Sequence, residues 1–362
     1  MTYAAIKGWG KCLPPATLTN DDLATFLDTN DQWITTRTGM KERRISHVTV
    51  SELAYVACEQ ALASAGKIAD DVDLIVFGST TFDELCPNAA SNVQRLLGAE
   101  RAACMDVNTA CTSGMYSLTT ATAMIKSGVV RSALVIGAEV ISPIMEWDNR
   151  DVAVLFGDGA AALYLEATEE KSGVLAESLG CFGESRDILA VQGWGMKYAN
   201  KARQLGDAHW NFIGQEIFKK AVAGMAHGCE ATLNKLNLTA QDMSLVVPHQ
   251  ANLRIIDALA KKLALPTEKV FVNIEKYGNM SAATVLVAFV EALEEGLVTD
   301  NSHVLLPAFG GGLTWSAHVL YFSKAPKSKG KSAVTLPATT LSGLELVQNL
   351  MRAKASGITN KT

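Results

Sequence analysis

Residues 105–118 read MDVNTACTSGMYSL, and this stretch decides how the rest of the chain is interpreted. The composition of 105–107 predicts a short buried strand, and the small residues after Asn108 predict a turn that leads into a helix. Cys111 stands at the apparent start of that helix, where free N–H groups and the positive end of the helix dipole are expected to lower the pKa of a thiol. We therefore interpret Cys111 as the best nucleophile candidate, while the other cysteines are expected to be inert thiols.

The strand, turn and helix around Cys111 belong to a pattern that occurs twice along the chain. In each half, three short apolar segments alternate with helix-like segments. These segments are 73–77, 105–108 and 133–137 in the first half, and 243–247, 270–273 and 303–306 in the second, with a helix from about Ala282. The pattern predicts an α/β protein with buried parallel strands and a duplicated core whose central helices pack face to face. Any two α/β halves look similar at this level, so the strand pattern alone leaves the duplication open.

Polar residues follow two predicted strands of the second half. His249 closes the strand LVVPH at 245–249, and ligands of α/β proteins gather at such carboxyl ends. Asn279 occupies the turn that corresponds, in the repeat, to the turn carrying Cys111, so pseudo-symmetry would bring these two residues together. A core histidine and a capping asparagine are the ordinary alternatives, and only the combination with Cys111 favours catalysis. The glycines at 310–312 expose backbone N–H groups of the kind that an oxyanion hole uses.

Composition limits the class of protein. The 362 residues are 48% hydrophobic and 19% charged, which is typical of a folded globular enzyme. A net charge of -5 argues against nucleic-acid binding. We find no signal-peptide pattern and no apolar run of about 20 residues, so a cytoplasmic protein that does not enter the membrane is expected. Seven scattered cysteines without a CxxC pair predict reduced thiols, and we expect neither a metal nor a resident cofactor.

The chain changes character after Phe322. Residues 323–340 are rich in Lys, Ser and Pro, which is typical of a linker or mobile tail. Residues 341–353 instead predict a packed terminal helix, with Thr340 or Ser342 as its cap. Its apolar stripe would contain Leu344, Leu346, Val347, Leu350 and Met351. We thus expect one thiol-bearing half at 1–170, a second half with the His and Asn at 171–324, and a tail at 325–362.

Five ordered motifs carry a family resemblance. They are ACTSGMYSL (110–118), RDVAVLFGDGAAA (150–162), VPHQANLRII (247–256), GNMSAAT (278–284) and AFGGGLTW (308–315). Together with the opening segment at 28–45, they resemble β-ketoacyl-acyl carrier protein synthase III over roughly residues 5 to 323. The resemblance implies a thiolase fold with duplicated βαβαβαββ halves in a five-layered αβαβα arrangement, normally as a homodimer.

The resemblance also implies a Cys-His-Asn site. Cys111 would take an acyl group from acyl-coenzyme A, and His249 and Asn279 would donate hydrogen bonds to a malonyl thioester carbonyl, favouring loss of CO2. The resulting carbanion would attack the acyl group, while the N–H groups of Cys111 and Gly311 stabilise the oxyanion. The implied reaction is a decarboxylating condensation with malonyl-acyl carrier protein that starts fatty acid biosynthesis.

Binding residues are implied in the same way. Coenzyme A would contact Thr29, Trp33, Arg37, Arg150, Phe218 and Asn252, with Trp33 on adenine and the two arginines on phosphates. Acidic carrier protein would dock on Lys219, Arg254, Lys261 and Lys262. The acyl tunnel would contain Cys86, Gly114, Ile141, Phe156, Phe212 and Phe309. For each charged residue, a solvated surface position is the ordinary alternative.

Departures from the family pattern concern the acyl pocket. The family usually has Gly and then a bulky aromatic after the nucleophile, where this chain has Ser113 and Gly114, and Met280 replaces a Thr. In TTFDELCPNAAS (80–91), Cys86 stands where enzymes for short starters have a Phe that reaches into the partner's acyl pocket. Loss of that ring predicts a deeper tunnel and an acyl preference longer than acetyl.

Other functions stay open on the sequence. A specialised relative could make a secondary metabolite such as an alkylquinolone or resorcinol, or join two acyl chains head to head. A non-decarboxylating thiolase needs a second cysteine in the late glycine-rich loop, which has none, and a hydroxymethylglutaryl synthase needs a base near Glu84. From a different class, Cys111 and His249 could form a thioesterase or cysteine hydrolase in which His activates water.

Overall fold

Two mixed β-sheets form the frame of the molecule. The computed structural model describes residues 1–199 and 208–356. Its strands are β1 Tyr3–Cys12, β2 Thr17–Thr19, β3 Glu42–Arg44, β4 Leu74–Gly78, β5 Ala103–Val107, β6 Ser132–Glu139, β7 Gly159–Thr168, β8 Gly173–Cys181, β9 Leu189–Gln192, β10 His209–Phe212, β11 Leu245–Val246, β12 Ser302–Gly310 and β13 Thr314–Phe322. Its α-helices are α1 Asn20–Ala24, α2 Asp31–Thr38, α3 Val50–Ala65, α4 Ala89–Leu97, α5 Ser113–Lys126, α6 Arg150–Ala153, α7 Met196–Ala199, α8 Gly214–Asn234, α9 Leu253–Lys262, α10 Ile274–Tyr277, α11 Thr284–Glu294 and α12 Gly343–Ala355.

The two large sheets share one strand order. The first runs β5-β4-β6-β7-β1, with β4 parallel to its two neighbours and β7 antiparallel to β6 and β1. The second runs β11-β12-β13-β8, with the same change from parallel to antiparallel pairing. Val270 forms an isolated parallel bridge to Val246 where the first sheet has β5. The duplication predicted from the repeat is therefore present, although 270–273 contributes a single bridge rather than a strand.

Helices separate the two sheets and cover their outer faces. Between the sheets lie α5 and α11, and the core around them takes side chains from both sheets. Every residue of α11 up to Leu293 is buried, as expected for an apolar helix enclosed on all sides. The outer faces are covered by α3 and α4 on the first sheet and by α8 and α9 on the second. The layers thus follow the order αβαβα.

Two glycines set the distance between the central helices and the first sheet. A Cβ atom on Gly114 of α5 would lie 2.5 Å from the carbonyl oxygen of Ala282. A Cβ atom on Gly137 of β6 would lie 2.4 Å from the same oxygen. The loop that leads into α11 therefore packs against the first half at positions where only hydrogen fits.

The segment after Phe322 is fixed to the first half of the chain, where its composition suggested a linker or mobile tail. The Lys329 N–H donates to the Ser64 carbonyl at 2.9 Å, and Gln60 exchanges two hydrogen bonds with the backbone of Ser332 at 3.0 and 3.1 Å. Ser342 then caps α12, and Val347 on this helix is fully buried. The tail is therefore a strap across α3 that ends in a docked helix.

Candidate active site

Cys111 lies in a tight turn between β5 and α5. Ala110 has a φ of 53°, and its carbonyl accepts a hydrogen bond from the Ser113 N–H at 2.9 Å. The helix begins at Ser113, two residues after the candidate nucleophile. Only 9% of Cys111 is exposed, so the turn directs the thiol into the interior at the carboxyl end of the first sheet.

Burial dominates the acidity of this thiol. It raises the pKa of Cys111 to about 11, although the Ser281 hydroxyl and the N–H groups of Cys111 and Gly311 act in the opposite direction. The expectation that the helix start lowers this pKa was wrong, because removing the thiolate from water outweighs these donors. Resting Cys111 is therefore a neutral thiol, and its attack on a substrate requires a base.

His249 approaches from the second sheet. Its backbone N–H donates to the carbonyl of Pro307 on β12 at 2.9 Å, which holds it at the carboxyl end of that strand pair. Burial lowers the pKa of His249 to about 3, and within the described chain Nδ1 has no hydrogen-bond partner. The ring is therefore a neutral imidazole near pH 7, with one nitrogen that accepts a proton and one that donates.

Asn279 is held so that its amide nitrogen is left for a ligand. Its Oδ1 accepts hydrogen bonds from the Ser281 N–H at 2.8 Å and the Thr284 hydroxyl at 3.2 Å. Its backbone pairs with the segment at 155–157, since its N–H donates to Leu155 and its carbonyl accepts from Gly157. Because the N–H of Ser281 can only donate, the oxygen end of the carboxamide is fixed, and Nδ2 makes no hydrogen bond within the described residues.

Cys111, His249 and Asn279 all line one pocket with a volume of about 790 Å³. The pocket combines these polar groups with an apolar wall, as sites for small ligands usually do. Its aromatic wall contains Phe156, Phe212, Phe218 and Phe309. Its cationic residues are Arg37, Arg150, Lys219 and Arg254, with Trp33 and Asn252 beside them.

Two arginines flank the indole ring in this pocket. The guanidinium carbons of Arg37 and Arg150 lie 4.4 and 4.6 Å from the ring centroid of Trp33. Arg150 also donates to the backbone carbonyl of Asp28 at 2.6 Å. Cations at this distance interact favourably with an aromatic face, and the same positive charge suits a phosphate ligand.

Several expected site residues do not line the pocket. Gly311 follows the lining residue Gly310, and its N–H is one of the groups that act to lower the pKa of Cys111. The other six are Thr29, Cys86, Gly114, Ile141, Lys261 and Lys262. Gly114 lies against the carbonyl of Ala282, Ile141 is buried in the apolar cluster that also contains the lining residue Phe156, and the two lysines are exposed at the end of α9. In the single chain, Gly114 and Ile141 do not line this pocket, and their place in an acyl tunnel stays a prediction.

Arg43 and Glu139 are buried charged residues near the site that were not predicted from the sequence. Arg43 is fully buried and donates to the Val154 carbonyl at 2.6 Å, next to the segment that pairs with Asn279. Glu139 is fully buried at the end of β6. The available signal was a lone acidic residue directly after the apolar run ALVIGA, a place where a carboxylate is expected only with a specific set of donors.

The described residues contain no cluster of His, Cys, Asp and Glu side chains that could hold a metal ion. None of their helices is long and apolar enough to span a bilayer.

The paired sheets, the central helices and the shared pocket define an acyl-transferring condensing enzyme of the thiolase fold. Models of the 3-oxoacyl-[acyl-carrier-protein] synthase III family match residues 105–183, and residues 233–322 for its C-terminal part. A Vibrio vulnificus (strain YJ016) protein, β-ketoacyl-[acyl-carrier-protein] synthase III 2, is 49% identical over 345 residues, which cover 95% of each chain. The chain belongs to the β-ketoacyl-acyl carrier protein synthase III family.

Solved structures agree with this assignment. The 3-oxoacyl-[acyl-carrier-protein] synthase III of Aquifex aeolicus VF5 is 42% identical with a TM-score of 0.83, and the match covers 88% of this chain and 100% of that one. The corresponding Pseudomonas aeruginosa PAO1 enzyme is 35% identical with a TM-score of 0.83, covering 90% and 99%. The thiolase fold, the acyltransferase class and the link to fatty acid biosynthesis are thereby confirmed, and these relatives do not favour a hydrolase or a secondary-metabolite enzyme.

Proposed function

We propose that this protein condenses an acyl group, taken from acyl-coenzyme A onto Cys111, with malonyl-acyl carrier protein. The products would be a β-ketoacyl-acyl carrier protein, CO2 and free coenzyme A, in the first step of fatty acid biosynthesis. The observation that carries this proposal is the convergence of Cys111, His249 and Asn279 in a pocket that also contains Trp33 between two arginines.

The first half-reaction transfers the acyl group. Neutral His249 accepts the proton of the Cys111 thiol, and the sulfur attacks the thioester carbonyl of acyl-coenzyme A. The N–H groups of Cys111 and Gly311 stabilise the tetrahedral oxyanion. When the C–S bond to coenzyme A breaks, the proton moves from His249 to the departing thiolate, so the imidazole is again neutral.

The second half-reaction forms the new carbon–carbon bond. Once the proton of the neutral imidazole has shifted to the nitrogen that faces the pocket, this N–H of His249 and Nδ2 of Asn279 donate to the thioester carbonyl of the malonyl group. CO2 leaves and its bonding electrons remain as an enolate, which two neutral donors stabilise without protonating carbon. The enolate carbon attacks the acyl-Cys111 carbonyl, and the expelled thiolate takes a proton from water to restore the thiol.

The cationic mouth of the pocket supports the binding of coenzyme A and carrier protein. In this proposal Trp33 stacks on adenine, Arg37 and Arg150 contact phosphates, and Phe218 and Asn252 border the pantetheine arm, with Thr29 nearby. Lys219 and Arg254 at the mouth continue into Lys261 and Lys262 on α9, giving a basic surface for an acidic carrier protein.

We also propose a homodimer and a medium or longer acyl starter. Cys86 is exposed in the single chain, on the loop before α4. If this loop reaches the acyl pocket of a partner subunit, as the family resemblance implies, a cysteine there leaves room that a phenylalanine would fill. The aromatic walls of Phe156, Phe212 and Phe309 would line the tunnel on the side of the nucleophile.

The two halves proposed at 1–170 and 171–324 each contain one large sheet, since β1 to β7 precede residue 171 and β8 to β13 follow it. We propose the cytoplasm as the location.

Intact-mass spectrometry tests the nucleophile. After exposure to acyl-coenzyme A of mixed chain lengths, the wild-type protein should gain one acyl mass and Cys111→Ala none. Cys104→Ala, which removes a thiol from the strand that leads to Cys111, should be acylated like the wild type. Malonyl-acyl carrier protein should then discharge the adduct with release of CO2. An adduct that persists in Cys111→Ala, or free acid formed without malonyl carrier, would contradict the proposal.

A further inference from the structure

Glu139 is a buried carboxyl beside the active site that the proposed half-reactions do not use. It ends β6, is fully inaccessible to solvent, and forms no ion pair within the described chain. Burial raises the pKa of this carboxyl, whereas its hydrogen-bond donors oppose that rise. A buried acid without a cation needs a dense set of donors, and their identity indicates what it does.

The donors come from both halves of the molecule. Two of the donors, the hydroxyls of Ser79 and Thr81, also accept a backbone N–H each, the first from Thr81 and the second from Val140. These bonds orient the protons of the two hydroxyls toward Glu139. The donors are the hydroxyls of Ser79, Thr80, Thr81 and Ser281 and the N–H groups of Thr80 and Ala282, at 2.5 to 3.4 Å. An environment of donors favours the carboxylate form. It also ties the turn after β4 to the loop that leads into α11.

Ser281 connects this carboxylate to the proposed catalytic groups. Its hydroxyl donates to Glu139 Oε1 at 3.0 Å, and the same hydroxyl acts to lower the pKa of Cys111. Its backbone N–H holds Oδ1 of Asn279 at 2.8 Å. A hydroxyl has one proton, so it cannot donate to the carboxylate and to the sulfur at the same time.

We propose that Glu139 is a positioning residue that acts on Cys111 through the Ser281 hydroxyl. The carboxylate holds the hydroxyl proton while Cys111 is a thiol, and competes for it when the sulfur becomes anionic. Glu139 thereby favours the thiol, and Ser281 favours the thiolate. The proposal rests on the proposed role of Cys111 as nucleophile.

The other titratable groups around this pair are few. His249 lines the same pocket as Cys111, as do Arg37, Arg150, Lys219 and Arg254. Asp106 on β5 accepts the N–H groups of Ala89 and Ala90. Asp158 precedes β7, which pairs with β6, and it is bound by the Ser142 hydroxyl and by backbone N–H groups. None of these forms a hydrogen bond to Glu139 or Ser281 in the described residues.

Asp158 supplies a matched control. It is a second fully buried carboxyl, held by a hydroxyl and N–H groups and located near the same end of the first sheet, without a contact to Cys111. Replacement of either acid by its amide removes one buried charge and keeps the side-chain shape. Only Glu139→Gln alters the competition for the Ser281 hydroxyl.

Alkylation of Cys111 by iodoacetamide, followed on the peptide that contains it, measures the thiolate fraction without any substrate. At about pH 8 we expect Glu139→Gln to raise the rate roughly tenfold, since a nearby charge typically shifts a pKa by about one unit. Ser281→Ala should lower the rate several-fold, and Asp158→Asn should match the wild type. A purely structural role would move the first two variants in the same direction.

Each outcome decides the inference. Equal rates of Cys111 alkylation in the wild type and the three variants would overturn it, even where condensation persists. Equal changes in Glu139→Gln and Asp158→Asn would overturn it as well. If Glu139→Gln does not fold, Ser281→Ala decides, since an unchanged or raised rate contradicts the donor role. If Cys111 is alkylated as expected yet never accepts an acyl group from acyl-coenzyme A, the proposed function fails while the effect of the pair on the thiol stands.

Discussion

The N–H of Ser281 donates to Oδ1 of Asn279 over 2.8 Å, and this bond determines which end of the carboxamide faces the pocket. An asparagine side chain has a donor end and an acceptor end of nearly equal size, so shape alone cannot orient it. The backbone donor removes that ambiguity because it can only pair with the oxygen. The amide N–H groups are then available where the proposed enolate oxygen develops negative charge.

Asn279→Asp should separate the two half-reactions. The aspartate keeps an acceptor for Ser281 but places a negative oxygen where a donor stood. We expect malonyl decarboxylation to fall by about 100-fold or more, while acylation of Cys111 continues. Measuring CO2 release from labelled malonyl carrier beside the intact mass of the protein checks this. Decarboxylation at the wild-type rate would show that Asn279 is not a donor to the enolate.

Cys86→Phe should shorten the preferred acyl chain. A ring at this position would occupy space that the proposed longer starter uses, so rates with long acyl-coenzyme A should fall more than rates with acetyl-coenzyme A. Steady-state rates over a series of chain lengths give the answer. Leu85→Phe is the control, since Leu85 is 88% exposed on the same loop and its replacement adds a ring without entering the pocket. Identical profiles for both variants would argue against a tunnel role for Cys86.

Acid should destabilise the fold through two buried histidines. Burial lowers the pKa values of His249 and His318 to about 3 from 6.5, so the folded state keeps both rings neutral. The unfolded chain binds these protons below about pH 6.5, and stability is therefore full above that pH and is lost as the pH falls toward 3. Each ring contributes a slope of about 1.4 kcal/mol per pH unit.

Replacing one of these histidines measures its contribution to the pH dependence of stability. His318→Gln keeps a partner for the Thr119 hydroxyl, which lies 2.7 Å from Nε2 of His318. The free energy of unfolding in urea, measured between about pH 7 and pH 5, should depend less on pH in this variant than in the wild type. His227→Gln, at an exposed position on α8, should leave the slope unchanged. Parallel curves for the wild type and His318→Gln would contradict the burial argument.

Docking of the tail helix should contribute to global stability. Val347 is fully buried among residues that include Leu18, Ile45 and Trp147, and Gly343 lies so close to Thr17 that a Cβ would be 2.4 Å from its carbonyl oxygen. Val347→Ala should reduce the free energy of unfolding by about 2 kcal/mol. Exposed Asn349 on the same helix provides the control, since Asn349→Ala should change it little. Equal effects would mean that the helix does not stabilise the fold by packing.

The main strands could be predicted because they consist of consecutive apolar residues. LIVFG at 74–78 coincides with β4, and ALVIGA lies inside β6, since strands buried on both faces need no alternation. The repeat predicted a duplicated core, and the order of the strands within each sheet is seen only in the structure. The run at 270–273 looked equally apolar, yet it forms one bridge to Val246, because pairing depends on the neighbouring backbone as well as on composition.

Properties that arise only after folding could not be predicted. The local sequence around Cys111 indicated a helix start and an acidic thiol, whereas the enclosed pocket raises its pKa. Glu139 passed unnoticed because its donors come from turns more than fifty residues before it and from a loop more than a hundred residues after it. Local reasoning selected Cys111 as the nucleophile candidate and favoured His249 and Asn279 only in combination with it, while the catalytic role of each residue came from the family resemblance.

The glycines at 114 and 137 have a mechanical consequence. The two glycines of the first half both face one carbonyl oxygen of the second half, that of Ala282, three residues after Asn279. A single methyl group at either glycine would push the loop that contains Asn279 and Ala282 away from Cys111 by about a few tenths of an ångström. A shift of this size does not prevent folding, but it is large compared with the tolerance of a hydrogen bond. Gly114→Ala or Gly137→Ala would therefore give a folded protein in which Asn279 and Cys111 are misaligned.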